Sequence, residues 1–128
     1  MARSQQTILI VEDNEELRRM YAAALSVAGF DARQAADGLQ ALRYLEGNDP
    51  PDLIVLDLTL PHVSGYVVRE EIAAHAQTRD IPIVIVTGSS SPLDKLDVAC
   101  VLRKPVAPDQ LVWTVRSCLR SAAPGQKA

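Results

Sequence analysis

Three short apolar runs constrain the fold of this chain more than any other feature of its sequence. They lie at Ile8–Val11, Leu53–Leu56 and Ile83–Val86, are rich in β-branched residues, and do not alternate with polar residues. Strands with this pattern are buried on both faces, as in a parallel sheet covered by helices. A shorter run at Ala99–Leu102 and an alternating segment at Phe30–Ala35 predict two more strands, the second suited to a sheet edge. We therefore expect five strands.

Apolar residues spaced three and four apart separate these strands and predict helices. The first helix follows Asp13, whose spacing to Glu16 resembles a capping box, and it ends at Gly29. Three further helices are predicted over Asp37–Glu46, from Ser64 to about Ala76, and from Pro108 onward. The alternation of strands and helices predicts an α/β doubly wound domain.

The stretch between Thr87 and Ala99 is an exception to this regular alternation. Its sequence, GSSSPLDKLDV, leaves room for only a turn or two of helix. The glycine, serine and proline in this stretch favour a loop. We therefore expect the fourth of the connecting helices to be shortened.

Length, charge and cysteine content narrow the class of protein. The 128 residues fit one domain over 1–128, with a core over about 7–120 and a polar tail over 121–128. A net charge of −3 argues against direct nucleic-acid binding, and no apolar stretch is long enough to cross a membrane. The N-terminus does not resemble a signal peptide, so we expect a cytoplasmic protein. In that compartment Cys100 and Cys118 are expected as two buried free thiols, with a disulfide between them as the alternative.

Four of the predicted strands are followed directly by polar residues. These residues are Glu12 and Asp13, Asp57, Thr87, and Arg103 and Lys104. In an open parallel sheet, the carboxyl ends of the strands line one crevice, and ligands bind there. Three acids, one hydroxyl and one or two cations are therefore expected at the same edge of the sheet.

Clustered carboxylates of this kind need a cation among them. Two carboxylates about 4 Å apart repel by roughly 4 kcal/mol at an effective dielectric constant of 20. Oxygen ligands without a nearby Cys or His favour a hard ion, and a partial set completed by water suits Mg²⁺ better than Ca²⁺. Asp57, beside Mg²⁺, Lys104 and the Thr87 hydroxyl, has the neighbours needed to accept a phosphoryl group.

These residues resemble the receiver domain of two-component response regulators, over nearly the whole chain. The resemblance rests on their order and spacing, together with the Pro61-x-x-x-Gly65 motif and the Lys104-Pro105 pair. It implies a five-stranded parallel sheet in the order 2-1-3-4-5, the flavodoxin-like fold of CheY. It also implies a cis peptide bond before Pro105, which an X-Pro bond permits.

The resemblance implies roles for three of the clustered side chains. Asp57 matches the phosphoacceptor, Thr87 the switch hydroxyl, and Lys104 the phosphate-binding lysine. The phosphodonor in the family is a phosphohistidine on a histidine kinase or a histidine phosphotransfer protein. The implied function is a phosphorelay receiver that switches its contacts with a downstream protein target. Such a domain signals and is not an enzyme, apart from its own phosphorylation and dephosphorylation.

The resemblance also implies a Mg²⁺ site. Glu12 and Asp13 match the acid pair that holds the metal, directly or through water. The ligand set is completed by Asp57 and by the backbone carbonyl of Thr59, two residues further along the chain.

Two features depart from the family and keep alternatives open. Val101 stands three residues before Lys104, where many members carry a Tyr or Phe that turns inward on phosphorylation, and the fourth helix is short. These departures lend some support to a receiver-like binding module that signals without phosphate, but the intact set of acids, hydroxyl and lysine argues against it. A second alternative is a haloacid dehalogenase-type phosphatase, since Asp57-Leu-Thr59 resembles the start of that motif. In that class, however, the nucleophile follows the first strand and an acid stands where Thr59 does.

Overall fold

The computed structural model describes residues 5–88 and 100–122, which contain five strands and four helices. The strands are β1 (Thr7–Val11), β2 (Asp31–Ala35), β3 (Leu53–Leu56), β4 (Ile83–Thr87) and β5 (Cys100–Arg103). The helices are α1 (Glu15–Val27), α2 (Gly38–Gly47), α3 (Gly65–Ala74) and α4 (Pro108–Ala122). The shortened helix predicted between Thr87 and Ala99 lies outside the described residues. Within the described part, no helix has the length and apolar character needed to cross a membrane.

All five strands run parallel and form one sheet in the order β2-β1-β3-β4-β5. This order confirms the predicted fold, with β2 at an edge. Leu56, the last residue of β3, lies opposite Val11 on one side and Ile85 on the other. Because the strands are parallel and closely in register, the residues that follow them emerge at one edge of the sheet.

Helices cover both faces of the sheet and create two core clusters. Ile8 and Ile10 of β1 point into the cluster that packs against α1 and α4. The alternate residues, Leu9 and Val11, point into the cluster that packs against α2 and α3. β3 and β4 therefore bury every side chain and β1 buries all but Thr7, which explains why their sequences do not alternate.

Side chains cap the first three helices at their amino ends. Each accepts a hydrogen bond from the backbone amide three residues further on: Asn14 from Leu17, Asp37 from Gln40, and Ser64 from Val67. The predicted capping box of Asp13 and Glu16 is wrong, because asparagine is a strong N-cap residue and Asn14 occupies that position. Asp13 thereby stays outside the helix and is exposed.

Gly65 allows the start of α3 to approach the end of β3. Its amide donates a hydrogen bond to the Leu58 carbonyl at 3.1 Å. A Cβ atom at this position would overlap the Asp57 carbonyl and the Leu58 backbone, so only glycine fits. In the loop between them, His62 adopts a φ of 65°, in the left-handed region.

The carboxyl-terminal part of the chain confirms one expectation and corrects another. The Lys104–Pro105 peptide bond is cis, as the resemblance implies. The expectation of two free thiols is wrong, because Cys100 of β5 and Cys118 of α4 form a disulfide. The fold brings them together since both pack on the same core cluster, where Cys118 is buried and Cys100 is partly exposed.

Candidate functional site

Four charged residues from three strand ends meet at the carboxyl edge of the sheet. Glu12 and Asp13 follow β1, and Asp57 follows β3; one carboxylate oxygen from each lies within 4.8 Å of the others. Lys104 follows β5, and its Nζ lies 2.8 Å from Glu12 Oε1 and 3.1 Å from Asp57 Oδ2. The fold thus gathers residues that are far apart in the sequence into one group.

Two of these carboxylates are buried. Asp57 is 3% exposed, and both of its oxygens are held: Oδ1 accepts the Thr59 amide at 2.9 Å and Oδ2 accepts Lys104 Nζ. Glu12 is 2% exposed, and its Oε2 accepts the Asn14 amide at 3.0 Å. Its Oε1 forms the ion pair with Lys104 but has no partner in hydrogen-bond geometry among the described residues.

The electrostatics of the group follow from this burial. Burial raises the pKa of Glu12 above its ordinary value; Lys104 and the Asn14 amide act against that rise, and the Asp57 charge adds to it. Burial lowers the pKa of Lys104, but the contacts with Glu12 and Asp57 outweigh burial and hold that pKa above its ordinary value. Lys104 therefore stays charged beside carboxylates that outnumber it.

Thr87 lies at the same edge, at the end of β4, and is fully buried. Its carbonyl accepts the Lys104 amide at 3.0 Å. The next residue, Gly88, lines an open cavity of about 720 Å³ over the charged group, and Thr59 lines it too. The described residues around this cavity are Glu12, Asp13, Asn14, Leu17, Asp57, Thr59, Gly88 and Lys104. Thr87 is not one of them.

Sequence analysis missed two residues that support Glu12. Asn14 both caps α1 and donates its amide to Glu12, and the preference of asparagine for N-caps could have identified it. Arg18 donates from its guanidinium to the Glu12 carbonyl at 3.0 Å and to Gln34 Oε1 at 3.1 Å. No local pattern marks Arg18, because its contacts depend on how α1 lies against β2.

Tyr21 of α1 lies on the core side of the charged group. Its side chain is 1% exposed, and its hydroxyl has no hydrogen-bond partner in the part of the chain that the structure describes. Burial raises the pKa of Tyr21; Lys104 opposes this effect, and the charges of Glu12 and Asp57 add to it. The charges at the edge of the sheet therefore affect the pKa of a buried core residue, Tyr21, as well as the cavity above them.

The donor set fits a hard divalent cation. Its three carboxylates offer oxygen ligands within reach of one ion, one of them exposed to solvent and two buried. Among the described residues, this group contains neither a sulfur nor an imidazole ligand, so its chemistry is that of Mg²⁺ or Ca²⁺ and not of a softer metal. Glu12, Asp13 and Asp57 could therefore hold a metal ion.

Comparison with known proteins identifies the family. The response regulator receiver domain family matches residues 8–116. This chain belongs to that family. Among solved structures, the receiver resembles the chemotaxis response regulator CheY4 of Vibrio cholerae with a TM-score of 0.82 and 27% identity, over 90% of this chain and 99% of that one.

Two relatives show the same likeness in sequence. The phosphate regulon transcriptional regulatory protein PhoB of Pseudomonas aeruginosa is 35% identical over 124 residues, which cover 93% of this chain and 54% of PhoB. The DNA-binding dual master transcriptional regulator RpaA of Synechocystis sp. is 33% identical over 118 residues, 88% of this chain and 48% of RpaA. The chain thus spans about half the length of the curated relatives it matches. Membership in this family makes the receiver a signalling domain, which replaces the haloacid dehalogenase interpretation.

Proposed function

We propose that this receiver accepts a phosphoryl group on Asp57 and thereby switches its contacts with other proteins. In this proposal Mg²⁺ is held by Glu12, Asp13, Asp57 and the backbone carbonyl of Thr59. The observation that carries the proposal is the meeting of three carboxylates within 4.8 Å of one another, two of them ion-paired to Lys104. Membership in the receiver family supports it.

Mg²⁺ suits the group because its three carboxylates outnumber the one lysine that pairs with them and the ligands are all oxygen. When bound, the metal would neutralise the carboxylates and the oxygens of an incoming phosphoryl group. Glu12 and Asp13 would hold it on the β1 side of the cavity. Asp57 would hold it on the β3 side.

Asp57 is the proposed nucleophile. One of its carboxylate oxygens forms a bond to the phosphorus of a phosphohistidine, while the phosphorus–nitrogen bond to the donor breaks and its electron pair leaves with the imidazole. The Thr59 amide and Lys104 hold the two Asp57 oxygens, so the carboxylate is oriented before the donor arrives. The exposed Thr59 side chain borders the route of hydrolytic water and so influences the lifetime of the acyl phosphate.

Lys104 and Thr87 are the proposed phosphate-binding side chains. Lys104 already contacts Asp57, so its ammonium is positioned to pair with an oxygen of the transferred group. The Thr87 hydroxyl would donate to another oxygen, and the movement of Thr87 would begin the switch. Val101, 38% exposed on β5, has no ring to reorient. We therefore propose that the change travels without the aromatic rotation that other receivers use.

The proposed donor is a histidine kinase or a histidine phosphotransfer protein, and the proposed output is contact with a downstream protein. A net charge of −3 supports protein contacts over direct nucleic-acid binding, and the proposed location is the cytoplasm without membrane attachment. PhoB and RpaA are described as transcriptional regulators, but the match covers about half of each. We also propose that residues 1–128 form one domain, with its core over about 7–120.

The test is intact mass after incubation of the full chain with acetyl phosphate and Mg²⁺. We expect a single phosphoryl adduct, absent in Asp57→Asn and absent when a chelator removes the metal. Asp80→Asn is the matched control, since this exposed aspartate precedes β4 and so lies at the opposite edge of the sheet. It should form the adduct as the native chain does.

Two outcomes would contradict the proposal. An adduct that persists in Asp57→Asn would place the phosphoryl group elsewhere. A chain that forms no adduct with acetyl phosphate or with a phosphohistidine donor would instead be the phosphate-independent binding module that Val101 favours.

A further inference from the structure

A disulfide joins an edge strand of the sheet to the helix that follows it. Cys100 is the first residue of β5, and Cys118 lies in the carboxyl half of α4. The bond closes a covalent ring over residues 100–118, and this ring contains Lys104, the lysine of the charged group. The disulfide therefore anchors, at both of its ends, the segment that brings the lysine to the phosphorylation site.

The strand β5 is held less extensively than the central strands of the sheet. Within the described part of the chain it lies at an edge and pairs with β4 alone. Two of its four residues, Cys100 and Leu102, pack against a core cluster, whereas Val101 and Arg103 are exposed. The disulfide is thus a covalent form of one of the two core contacts that β5 makes.

One end of the disulfide is accessible to solvent. Cys118 is 2% exposed and lies in the core, but Cys100 is partly exposed at the edge of the sheet. Thiol–disulfide exchange begins when a thiolate reaches one of the two sulfur atoms. Cys100 Sγ is therefore the atom at which a reductant can attack the folded chain.

The proposed cytoplasmic location gives this accessibility a meaning. The cytoplasm keeps thiols reduced, and disulfides that form there are usually transient and catalytic or redox-sensing. A partly exposed disulfide is also more easily reduced than one that is fully buried. In that compartment, the bond between Cys100 and Cys118 suits a reversible function better than a permanent structural one.

We propose that the Cys100–Cys118 disulfide is a reversible redox switch that sets how firmly β5 positions Lys104. In the oxidised chain, the bond holds the first residue of β5 against α4, and Lys104 stays beside Glu12 and Asp57. In the reduced chain, β5 loses this anchor, and the lysine is less well placed to pair with a phosphoryl group. The effect on phosphorylation rests on the proposed function, whereas the effect on β5 does not.

The reductant of this switch is a dithiol. One of its thiolates attacks Cys100 Sγ, the bond between the two protein sulfurs breaks, and its electron pair stays on Cys118 Sγ. The second thiol of the reductant then attacks the mixed disulfide and releases Cys100. Two electrons and two protons pass to the cysteines, which become thiols, while the dithiol becomes a disulfide. The reverse reaction, with the oxidised dithiol, closes the bond again.

Thiol alkylation of the full chain, followed by intact mass measurement, tests whether the bond opens and closes in the folded state. Cys100 and Cys118 are the only cysteines of the chain, so the number of alkyl groups reports on this pair alone. We expect no alkyl group on the oxidised chain, two after reduced dithiothreitol without denaturant, and none after reoxidation. Alkylation that requires urea, or two free thiols under every oxidising condition, would overturn the proposal.

Amide hydrogen exchange tests whether the bond controls β5. Exchange in β5 should be at least about tenfold faster in the reduced chain than in the oxidised chain, while exchange in β1 should not change. Cys100→Ala and Cys118→Ala cannot form the bond, so each should give the same exchange with and without dithiothreitol. Val101→Ala is the matched control: it keeps both cysteines and should respond as the native chain does. Equal exchange of β5 in the two states of the native chain would overturn the proposal.

The rate of adduct formation with acetyl phosphate and Mg²⁺ tests whether the bond also acts on the site. We expect the oxidised chain to react at least about threefold faster than the reduced chain, because its lysine is better positioned. The rate in Cys100→Ala should not depend on dithiothreitol. Equal rates in both states of a reactive native chain would overturn the control of Lys104. If neither state forms an adduct, the proposed function fails, and hydrogen exchange alone decides whether the disulfide controls β5.

Discussion

The carboxyl edge of the sheet and the groove between α1 and α4 depart in opposite ways from the usual distribution of polar and apolar residues. At the edge, carboxylates are buried: Glu12 is 2% exposed and Asp57 is 3% exposed. In the groove, which both helices line, large apolar side chains are exposed, Trp113 by 67% and Val27 by 90%. Both arrangements are unfavourable for an isolated domain, because buried charge requires a partner and exposed apolar surface requires cover. Buried carboxylates thus indicate a charged ligand, and exposed apolar side chains indicate an apolar partner.

Gly65→Ala tests whether the carboxyl edge of the sheet requires the close approach of the Gly65 backbone to Asp57. The added Cβ would overlap the Asp57 carbonyl, so we expect a loss of about 3 kcal/mol in the free energy of unfolding. Gly47→Ala is the matched control, since a Cβ there meets nothing within 4 Å. It should be neutral or slightly stabilising, because alanine favours helix. Urea denaturation measures both; equal stability of the two variants would contradict the close approach.

Lys104→Met tests whether the lysine offsets the buried carboxylates. Removing one member of a buried ion pair costs about 3 to 5 kcal/mol. Because the Lys104 side chain is 22% exposed, we expect a smaller loss, about 2 kcal/mol without metal. Mg²⁺ should restore part of this loss by neutralising the same carboxylates. Arg79→Met, an exposed control, should stay within about 0.5 kcal/mol of the native chain.

The pH dependence of stability tests the burial of Glu12. Its pKa is raised in the folded state above the ordinary value of 4.5, so the folded chain holds this proton to a higher pH than the unfolded chain does. The free energy of unfolding contributed by Glu12 should therefore be highest below pH 4.5 and fall as the pH rises through the raised pKa.

Urea denaturation of the native chain and of Glu12→Gln, both in chelator, isolates this contribution as their difference. A difference that rises with pH across the window would show that the surroundings stabilise the Glu12 carboxylate, and a flat difference would show that its pKa is the same in both states. Either result would contradict the raised pKa.

Trp113→Ser should have the smallest effect on stability. The side chain is largely exposed, so we expect the free energy of unfolding to change by less than about 0.5 kcal/mol. Leu111→Ala, two residues earlier and fully buried, should cost about 2 to 5 kcal/mol. A large loss for Trp113→Ser would mean that the groove contributes to folding and does not await a partner.

The fold was predictable because its strands carry a strong pattern. The apolar runs at β1, β3 and β4 are buried on both faces, and the order of the sheet followed from the resemblance. The meeting of Glu12, Asp57 and Lys104 was predictable for the same reason, since parallel strands deliver their ends to one edge.

Contacts that depend on how the helices pack against the sheet could not be predicted from sequence patterns. The contact of Arg18 with Gln34 depends on how α1 lies against β2. The disulfide between Cys100 and Cys118 depends on where α4 crosses the sheet, and redox compartment alone suggested free thiols. Apolar spacing predicted a helix from Pro108 onward, but this spacing does not show that the neighbouring helices leave Trp113 uncovered.

The most direct test of the central claim is to locate the acyl phosphate chemically. Borohydride reduces an aspartyl phosphate to homoserine, which peptide mass mapping assigns to one residue. After treatment with a phosphodonor and Mg²⁺, we predict homoserine at position 57 and nowhere else, and none when the metal is chelated. Reduction at Glu12 or Asp13, or an unmodified Asp57 in a chain that has taken up phosphate, would contradict the account.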